Sequence, residues 1–326
     1  MKSFKKVAGR IAVLIGLALA ILASTSRAGQ PGKGPVKVFI LVGQSNMQGK
    51  GKIAHLEQLA AEKADEYGHL KKDGQWVERD DVWIKYWDKK GKLTVGYGSP
   101  EDRIGPELGF GHVIGEALDN QVLIVKVAWG GQSLALDFRP PSSGKPEFEL
   151  SEKVQQNIAG GEWQIGIRYR EMLEEVNATL KDLKTHFPDY DGRECEIAGL
   201  VWFQGFNDVI NDTFRAEYGE NMANFVRDVR KDLKVADLPV VIGELGMDGV
   251  EVNPRWAYKH YALREAQEAP SKMPEFQGTV AFGRTAPLVV TEGDAFDGGY
   301  HYRGRADTFY KIGVSFGEEM KKLLGL

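Results

Sequence analysis

Ser45 is the hydroxyl of this chain best placed for nucleophilic chemistry. It lies in Gly43-Gln44-Ser45-Asn46, directly after the apolar run 36–42. A buried strand ending this way delivers a hydroxyl to the carboxyl edge of a sheet, the edge at which open α/β sheets bind ligands. The glycine permits a sharp turn, and the amides beyond it lack strand partners and can face an anion. Taken alone, the tetrapeptide also fits a Ser/Asn turn opening a helix.

Three later segments carry matching chemistry. Val127-Ala128-Trp129-Gly130-Gly131-Gln132-Ser133 again ends an apolar run. Its Gly-Gly pair lets a backbone amide approach a developing oxyanion, although a plain strand-to-loop turn has the same composition. In Val201-Trp202-Phe203-Gln204-Gly205-Phe206-Asn207-Asp208, the Asn207 carboxamide can donate to an oxyanion, with Asp208 to fix its orientation. An Asx turn is the other reading. Asp294-Ala295-Phe296-Asp297-Gly298-Gly299-Tyr300-His301 places acids and an imidazole on one loop before the last helix. A carboxylate there can set the imidazole tautomer and steady the imidazolium. His55, His69, His112, His186 and His260 lie in or beside helical stretches and read as surface or helix-end residues.

The elements that must position these groups alternate. Apolar strands are expected at 36–42, 121–129, 196–203, 239–245 and 278–282, and helices at 53–67, 106–118, 165–187, 213–234, 255–269 and 306–324. A hairpin is expected from 82–87 and 93–97 turning through Lys89-Lys90-Gly91-Lys92. Buried strands alternating with helices imply an α/β fold, a parallel sheet covered on both faces. The insertions 68–105 and 136–162 are expected to decorate the catalytic edge.

Residues 1–28 read as a signal peptide: Lys2, Lys5, Lys6 and Arg10 precede the apolar stretch 11–23, and Ser26-Arg27-Ala28 offers a cleavage site. That stretch is shorter than the ~20 residues needed to span a bilayer. Residues 29–326 then form a single domain, secreted or periplasmic. Removing 1–28 takes away five basic and no acidic side chains, moving the formal charge from −4 to −9. An acidic surface disfavours nucleic acid and anionic membranes as partners. Cys195 is the only cysteine, so no internal disulfide forms. No metal-ligand spacing is evident, and no cofactor is called for.

Together, in this order, the four segments resemble those of the SGNH hydrolases across nearly all of residues 29–326. Gly43-Gln44-Ser45-Asn46-Met47, Trp129-Gly130-Gly131-Gln132-Ser133 and Trp202-Phe203-Gln204-Gly205 look like the branch holding sialate O-acetylesterases and acetylxylan esterases. The resemblance implies a three-layer α/β/α sandwich with a five-stranded parallel, flavodoxin-like sheet. It implies removal of acetyl groups from sugar hydroxyls without a metal. By position, Ser45 would be the nucleophile, His301 the base and Asp297 its orienter. The Ser45 amide, Gly131 (or Gly130) and Asn207 would form the oxyanion hole.

Asp297 stands four residues before His301 where the family usually has three, which keeps Asp294 open as the acid. Phe206 stands where many relatives have Glu. Gln44, Trp129, Gln204 and Tyr300 are the candidates for contacting substrate. Of the aromatics nearby, Trp202 and Phe203 lie inside a strand and fit the core better, and Arg139 could meet a carboxylated sugar or simply be solvated. A lipase-like esterase and a non-catalytic carbohydrate-binding protein are the competing functions. The absence of a long apolar lid disfavours the first, and the intact Ser, His, Asp and Asn set disfavours the second.

Overall fold

The computed structural model describes Gly32, residues 34–161 and residues 163–326. The expected signal peptide, residues 1–28, lies outside the described residues. The central sheet runs through β1 (Val36–Gly43), β2 (Arg79–Tyr86), β3 (Lys89–Leu93), β4 (Val122–Ala128), β5 (Cys195–Phe203), β6 (Val240–Gly243) and β7 (Val280–Gly283). Their spatial order is β7-β6-β5-β1-β4-β2-β3. The helices that bear on the site are α1 (Ser45–Gln48), α2 (Ile53–Glu62), α3 (Pro106–Ala117), α4 (Ile167–Lys181), α5 (Phe206–Val209), α6 (Asp212–Leu233), α7 (Ala257–Glu268) and α8 (Ala306–Leu324).

The five strands expected from apolar runs are all present, adjacent and parallel. Counted among themselves in chain order, they lie 2-1-3-4-5, the flavodoxin order. The expected sheet size needs correction, because the sheet has seven strands rather than five. The hairpin does not stand apart: β2 pairs in parallel with β4, and β3 closes the edge antiparallel to β2. Its turn is also displaced. Trp87 adopts a left-handed φ of 54° and reverses the chain at Trp87-Asp88, so Lys89–Leu93 is strand rather than turn. Lysines on an edge strand discourage pairing with another chain, and this is why the segment reads as a polar turn in sequence. Two expected helices are also broken, at Lys63 and at Asp182, where the backbone leaves helical geometry.

Helices cover both faces. Successive residues of a strand point to opposite sides of a sheet. Trp202 packs on Phe225 of α6 at 4.6 Å between ring centroids, and Phe203 packs on Phe316 of α8 at 5.2 Å. On the α8 side, α3 lies against α8 and reaches β1 through Phe39 and Phe110, 5.5 Å apart. Every side chain of β4 is buried, as are those of β1 from Val38 onward. Burying one such side chain contributes about 1.5–3 kcal/mol. Cys195, at the start of β5, is half-buried, with its sulfur 4.0 Å from the Tyr190 hydroxyl.

The ladder aligns the strand ends. Gly43 sits opposite Ala128 on one side and Phe203 on the other, and Gly243 sits opposite Gly283. A Cβ on Gly43 would lie 2.1 Å from the Phe203 carbonyl oxygen, so only glycine fits at that crossing. All the connections that follow these ends therefore emerge at one edge.

Candidate active site

Ser45 opens the single-turn helix α1, two residues past the end of β1, and is partly exposed. Gln44 fixes its approach. The Gln44 side chain is 1% exposed, and its Oε1 accepts from the Gly205 amide (3.1 Å), the Phe206 amide (3.0 Å) and Gln204 Nε2 (3.0 Å). Gln204, 2% exposed, also donates to the Gln132 carbonyl and to Asp208. These two glutamines have no face left for a sugar. The expectation that Gln44 and Gln204 contact substrate is corrected: they staple the ends of β1 and β5 together.

Asp208 needs the same kind of correction. Its carboxylate does not touch Asn207 but is wholly buried, accepting from the Leu134 amide (3.0 Å), the Ala135 amide (3.0 Å) and Gln204 Nε2 (2.6 Å). It thereby anchors the loop that carries Gly130-Gly131. Burial outweighs these hydrogen bonds and pushes its carboxyl up to about 6. Asn207 is oriented instead by the Gly131 carbonyl, to which its Nδ2 donates at 2.8 Å, and by Gln44 Nε2, which reaches its Oδ1 at 3.4 Å. Gly131 has φ +69° and no atom within 4 Å of where a Cβ would stand, so its backbone faces open space. Among the described residues, neither the Ser45 nor the Gly131 amide donates a hydrogen bond.

A second underpinning was missed in the sequence. Lys126 of β4 and Glu107 of α3 form a fully buried ion pair at 2.7 Å. The Lys126 ammonium also donates to the Gln48 carbonyl at the end of α1 (2.8 Å) and to the Tyr97 carbonyl. A lysine in the middle of an otherwise apolar strand was the signal, because burying a charge demands a partner.

Asp297 and His301 sit on the turn that leads into α8. Nδ1 of His301 lies 3.3 Å from Oδ2 of Asp297, near enough to pair but without the alignment of a full hydrogen bond. Asp297 Oδ1 accepts from the Gly298 amide at 2.7 Å. The turn closes because Tyr302 and Arg303 both take left-handed φ, with the Phe296 and Asp297 amides donating back to the Arg303 carbonyl. Buried Tyr302 stacks on Phe203, and its hydroxyl accepts from the Gly246 amide. Asp294 is exposed, and its backbone carbonyl takes a hydrogen bond from Arg305. Of the two acids, Asp297 is thus the one beside His301.

Burial lowers the His301 imidazole below its ordinary value, with Asp297 pulling the other way. Burial would raise the Asp297 carboxyl, but the Gly298 amide and His301 together hold it below the usual carboxylate value. The turn is tied to α1 by Asn46, whose Nδ2 donates to the Tyr300 carbonyl at 3.1 Å. Among the described residues, no direct hydrogen bond joins Ser45 to His301.

Trp129 is partly buried, edge-on to Trp87 at 5.0 Å and under the Arg168 guanidinium. Tyr300 is exposed, against Phe206 and the His301 ring. Trp202 and Phe203 are core residues, and Arg139 is buried with Glu217 and three carbonyls. Three of the remaining histidines differ from expectation. His55, His112 and His260 are buried, His55 accepting from the Ala306 amide at the head of α8. Among the described residues no group of three or more His, Cys, Asp or Glu could hold a metal ion.

Comparison with known proteins agrees with the architecture. A probable carbohydrate esterase of Arabidopsis thaliana is 25% identical over 217 residues, 64% of this chain and 68% of the relative. The X-ray structure of that Arabidopsis protein superposes with a TM-score of 0.54 at 18% identity, covering 88% of this chain and 98% of the other. A carbohydrate acetylesterase from Xanthomonas citri gives a TM-score of 0.53 at 15% identity, covering 89% of this chain and 57% of that one. At these identities the two superpositions show the fold. The family described as "Carbohydrate esterase, sialic acid-specific acetylesterase" matches residues 35–285, a stretch that holds Ser45, Gly131 and Asn207 and stops before Asp297 and His301. With more than half its length matched, the chain belongs to that family, within the SGNH carbohydrate-esterase branch.

Proposed function

We propose that this chain is an exported serine esterase that removes O-acetyl groups from carbohydrate, working as one domain over 29–326 once 1–28 is cleaved. The observation that carries the reading is the convergence at one sheet edge. Ser45, Gly131 and Asn207 follow adjacent strand ends, and the Asn46–Tyr300 hydrogen bond ties the Asp297–His301 turn to the helix of Ser45.

In this reaction His301, neutral at working pH because burial lowers its pKa, takes the Ser45 proton as Oγ attacks the acetyl carbonyl. The tetrahedral oxyanion is met by the Ser45 and Gly131 amides and the Asn207 carboxamide, one such donor being worth ~3–4 kcal/mol. His301 then protonates the departing sugar oxygen, and the C–O bond to the sugar breaks. Water, deprotonated by His301, attacks the acetyl-serine; the acyl C–Oγ bond breaks, His301 returns the proton to Ser45 Oγ, and acetate leaves. Asp297 keeps the Nδ1 proton toward itself and steadies the imidazolium. Among the described residues no helix is long and apolar enough to cross a membrane.

The test compares wild type with Ser45→Ala on p-nitrophenyl acetate and p-nitrophenyl octanoate, alongside acetate release from acetylated xylan, pectin and sialic acid. Acetyl ester turnover that falls by several orders of magnitude in a folded Ser45→Ala variant is expected. A variant retaining a tenth of wild-type turnover would remove Ser45 from the nucleophile role. Faster turnover of the octanoate would favour a lipase-like enzyme.

A further inference from the structure

Beside His301 runs a cleft of about 600 Å³ whose make-up the reaction does not explain. Phe206, Ile210, Trp256 and Tyr300 form its apolar surface, and Asp248 and Asn253 stand at its polar side. The volume is that of a ligand site rather than of a packing defect. Trp256, Tyr300 and Ile210 remain 43%, 46% and 58% exposed. Large side chains left in water and gathered in one concavity mark a surface that something covers. Phe206 and Tyr300 lie 5.4 Å apart with rings inclined by 38°, and Tyr300 meets the His301 ring at 4.4 Å. Through Tyr300 the cleft adjoins the His301 ring.

Charge narrows the occupant. An adjoining concavity of about 540 Å³ shares Asp248, Asn253 and Gly299 with the first, and Asp248, Glu251 and Asp297 bring three acids to it. Its cation, Arg303, is engaged by the Thr291 and Gly293 carbonyls. Lys259, the cation of the aromatic cleft, is paired with Asp212 at 3.2 Å. Arg139, which the sequence offered for a carboxylated sugar, is buried and fully partnered. A carboxylated sugar would meet these acids, while Lys259, Arg303 and Arg139 are each already engaged and burial disfavours the charged form of His260, the cleft's imidazole. A neutral pyranose has an apolar face of C–H bonds to lie on aromatic rings and hydroxyls to reach Asp248 and Asn253.

We propose that this cleft binds an unacetylated pyranose unit of a neutral glycan chain, next to the acetylated unit at Ser45, so that the enzyme selects neutral polysaccharide over acidic sugars. The inference rests on the esterase reading above. Phe206 is part of the device: an acid there would replace an aromatic wall with another negative charge.

The experiment measures binding of xylohexaose, cellohexaose, mannohexaose and hexagalacturonate to the full-length Ser45→Ala protein, by calorimetry and tryptophan fluorescence. At least one neutral hexamer should bind, and hexagalacturonate should not. Adding Trp256→Ala should weaken the neutral hexamer about tenfold, with Trp256→Phe restoring most of the loss. Trp256 is exposed enough for the change to spare the fold, and Phe206→Glu provides a second variant expected to weaken binding. No binding by any neutral hexamer, preference for hexagalacturonate, or full affinity in both variants would overturn the subsite. Wild-type turnover of p-nitrophenyl acetate, measured in parallel, judges the esterase reading separately: turnover without glycan binding sinks the subsite alone.

Discussion

Ser45, Gly131 and Asn207 stand just past the ends of neighbouring parallel strands, whereas Asp297 and His301 stand on a turn that belongs to no strand. The first group is locked by the ladder and by buried polar side chains bonded both to backbone and to other side chains: Gln44, Gln204, Asp208 and Lys126. The second is held by a few backbone hydrogen bonds, two left-handed residues and the stacking of Tyr302 on Phe203. In the proposed reaction the oxyanion donors are thus built into the sheet, while the base stands on a separate turn tied to α1 by Asn46. Catalytic hydrogen bonds in resting enzymes are often loose and tighten when substrate binds. The unaligned Asp297–His301 pair and the missing Ser45–His301 bond both involve the turn rather than the ladder.

The turn should be where chemistry is most sensitive to one atom. Asp297→Asn is expected to lower kcat by up to ~10⁴ near neutral pH, because the imidazole is left in the wrong tautomer. Asp294→Asn should change kcat by less than about threefold, since that side chain is exposed and away from the pair. Steady-state rates on p-nitrophenyl acetate decide between them, and the reverse ranking would move the acid to Asp294. The pH profile adds a sign. His301 must be neutral to act, so activity falls as pH drops through its pKa, below the ordinary imidazole value. Asp297 raises that pKa, so the residual activity of Asp297→Asn should hold to lower pH than wild type does.

On the sheet side, Asn207→Ala should reduce kcat by ~10²–10³ with KM little changed, the loss of one oxyanion donor. A change confined to KM would make Asn207 a substrate-binding residue.

The strands and the order of chemical segments were legible because buried parallel strands are continuous apolar runs, and a Gly-x-Ser-Asn or Gly-x-Asn-Asp ending stands out against them. Polar residues at strand ends were not. A glutamine beside a serine reads equally as a substrate contact or as a buried brace, and only its partners tell which: Gln44 accepts from residues 160–162 positions away, and Gln204 reaches Gln132, 72 positions away. Asp208 was assigned to its neighbour Asn207 for the same reason, when its partners lie 73–74 residues off in the Gly-Gly loop. The lysines of β3 hid an edge strand, and Trp256 carried no motif to connect it with Tyr300.

Asp208→Ala should cost on the order of 3 kcal/mol, because the buried Leu134 and Ala135 amides are left without an acceptor and Gln204 loses one of its partners. Thermal unfolding checks it. Asp208 also gives a pH signature. Its folded carboxyl is raised to about 6 by burial, so its contribution to stability is present at low pH and is lost as pH rises toward 6. The Tm of wild type relative to Asp208→Asn should therefore fall between about pH 4 and pH 6 and stay flat above. A difference that rises over that range would contradict the buried, raised carboxyl.

Tyr302→Phe probes the turn more gently. It leaves the Gly246 amide without its acceptor and should cost about 1 kcal/mol, with a several-fold loss of kcat that exceeds any change in KM. Equal activity at equal temperature would show that the seat of the turn does not govern His301. The smallest effect is expected from a chelator: EDTA should leave turnover unchanged, as the Ser45–His301 route uses no Lewis acid.

The claim that joins both halves is that Ser45 carries the acetyl group and His301 acts upon it. Wild type and His301→Ala, mixed with p-nitrophenyl acetate and quenched in acid on the millisecond to second scale, are digested and examined by mass spectrometry. An acetyl adduct on the peptide bearing Ser45, formed rapidly in wild type and at least ~10³-fold more slowly in His301→Ala, is the predicted result. An adduct on another residue, or equal acetylation of Ser45 with and without His301, would contradict the account.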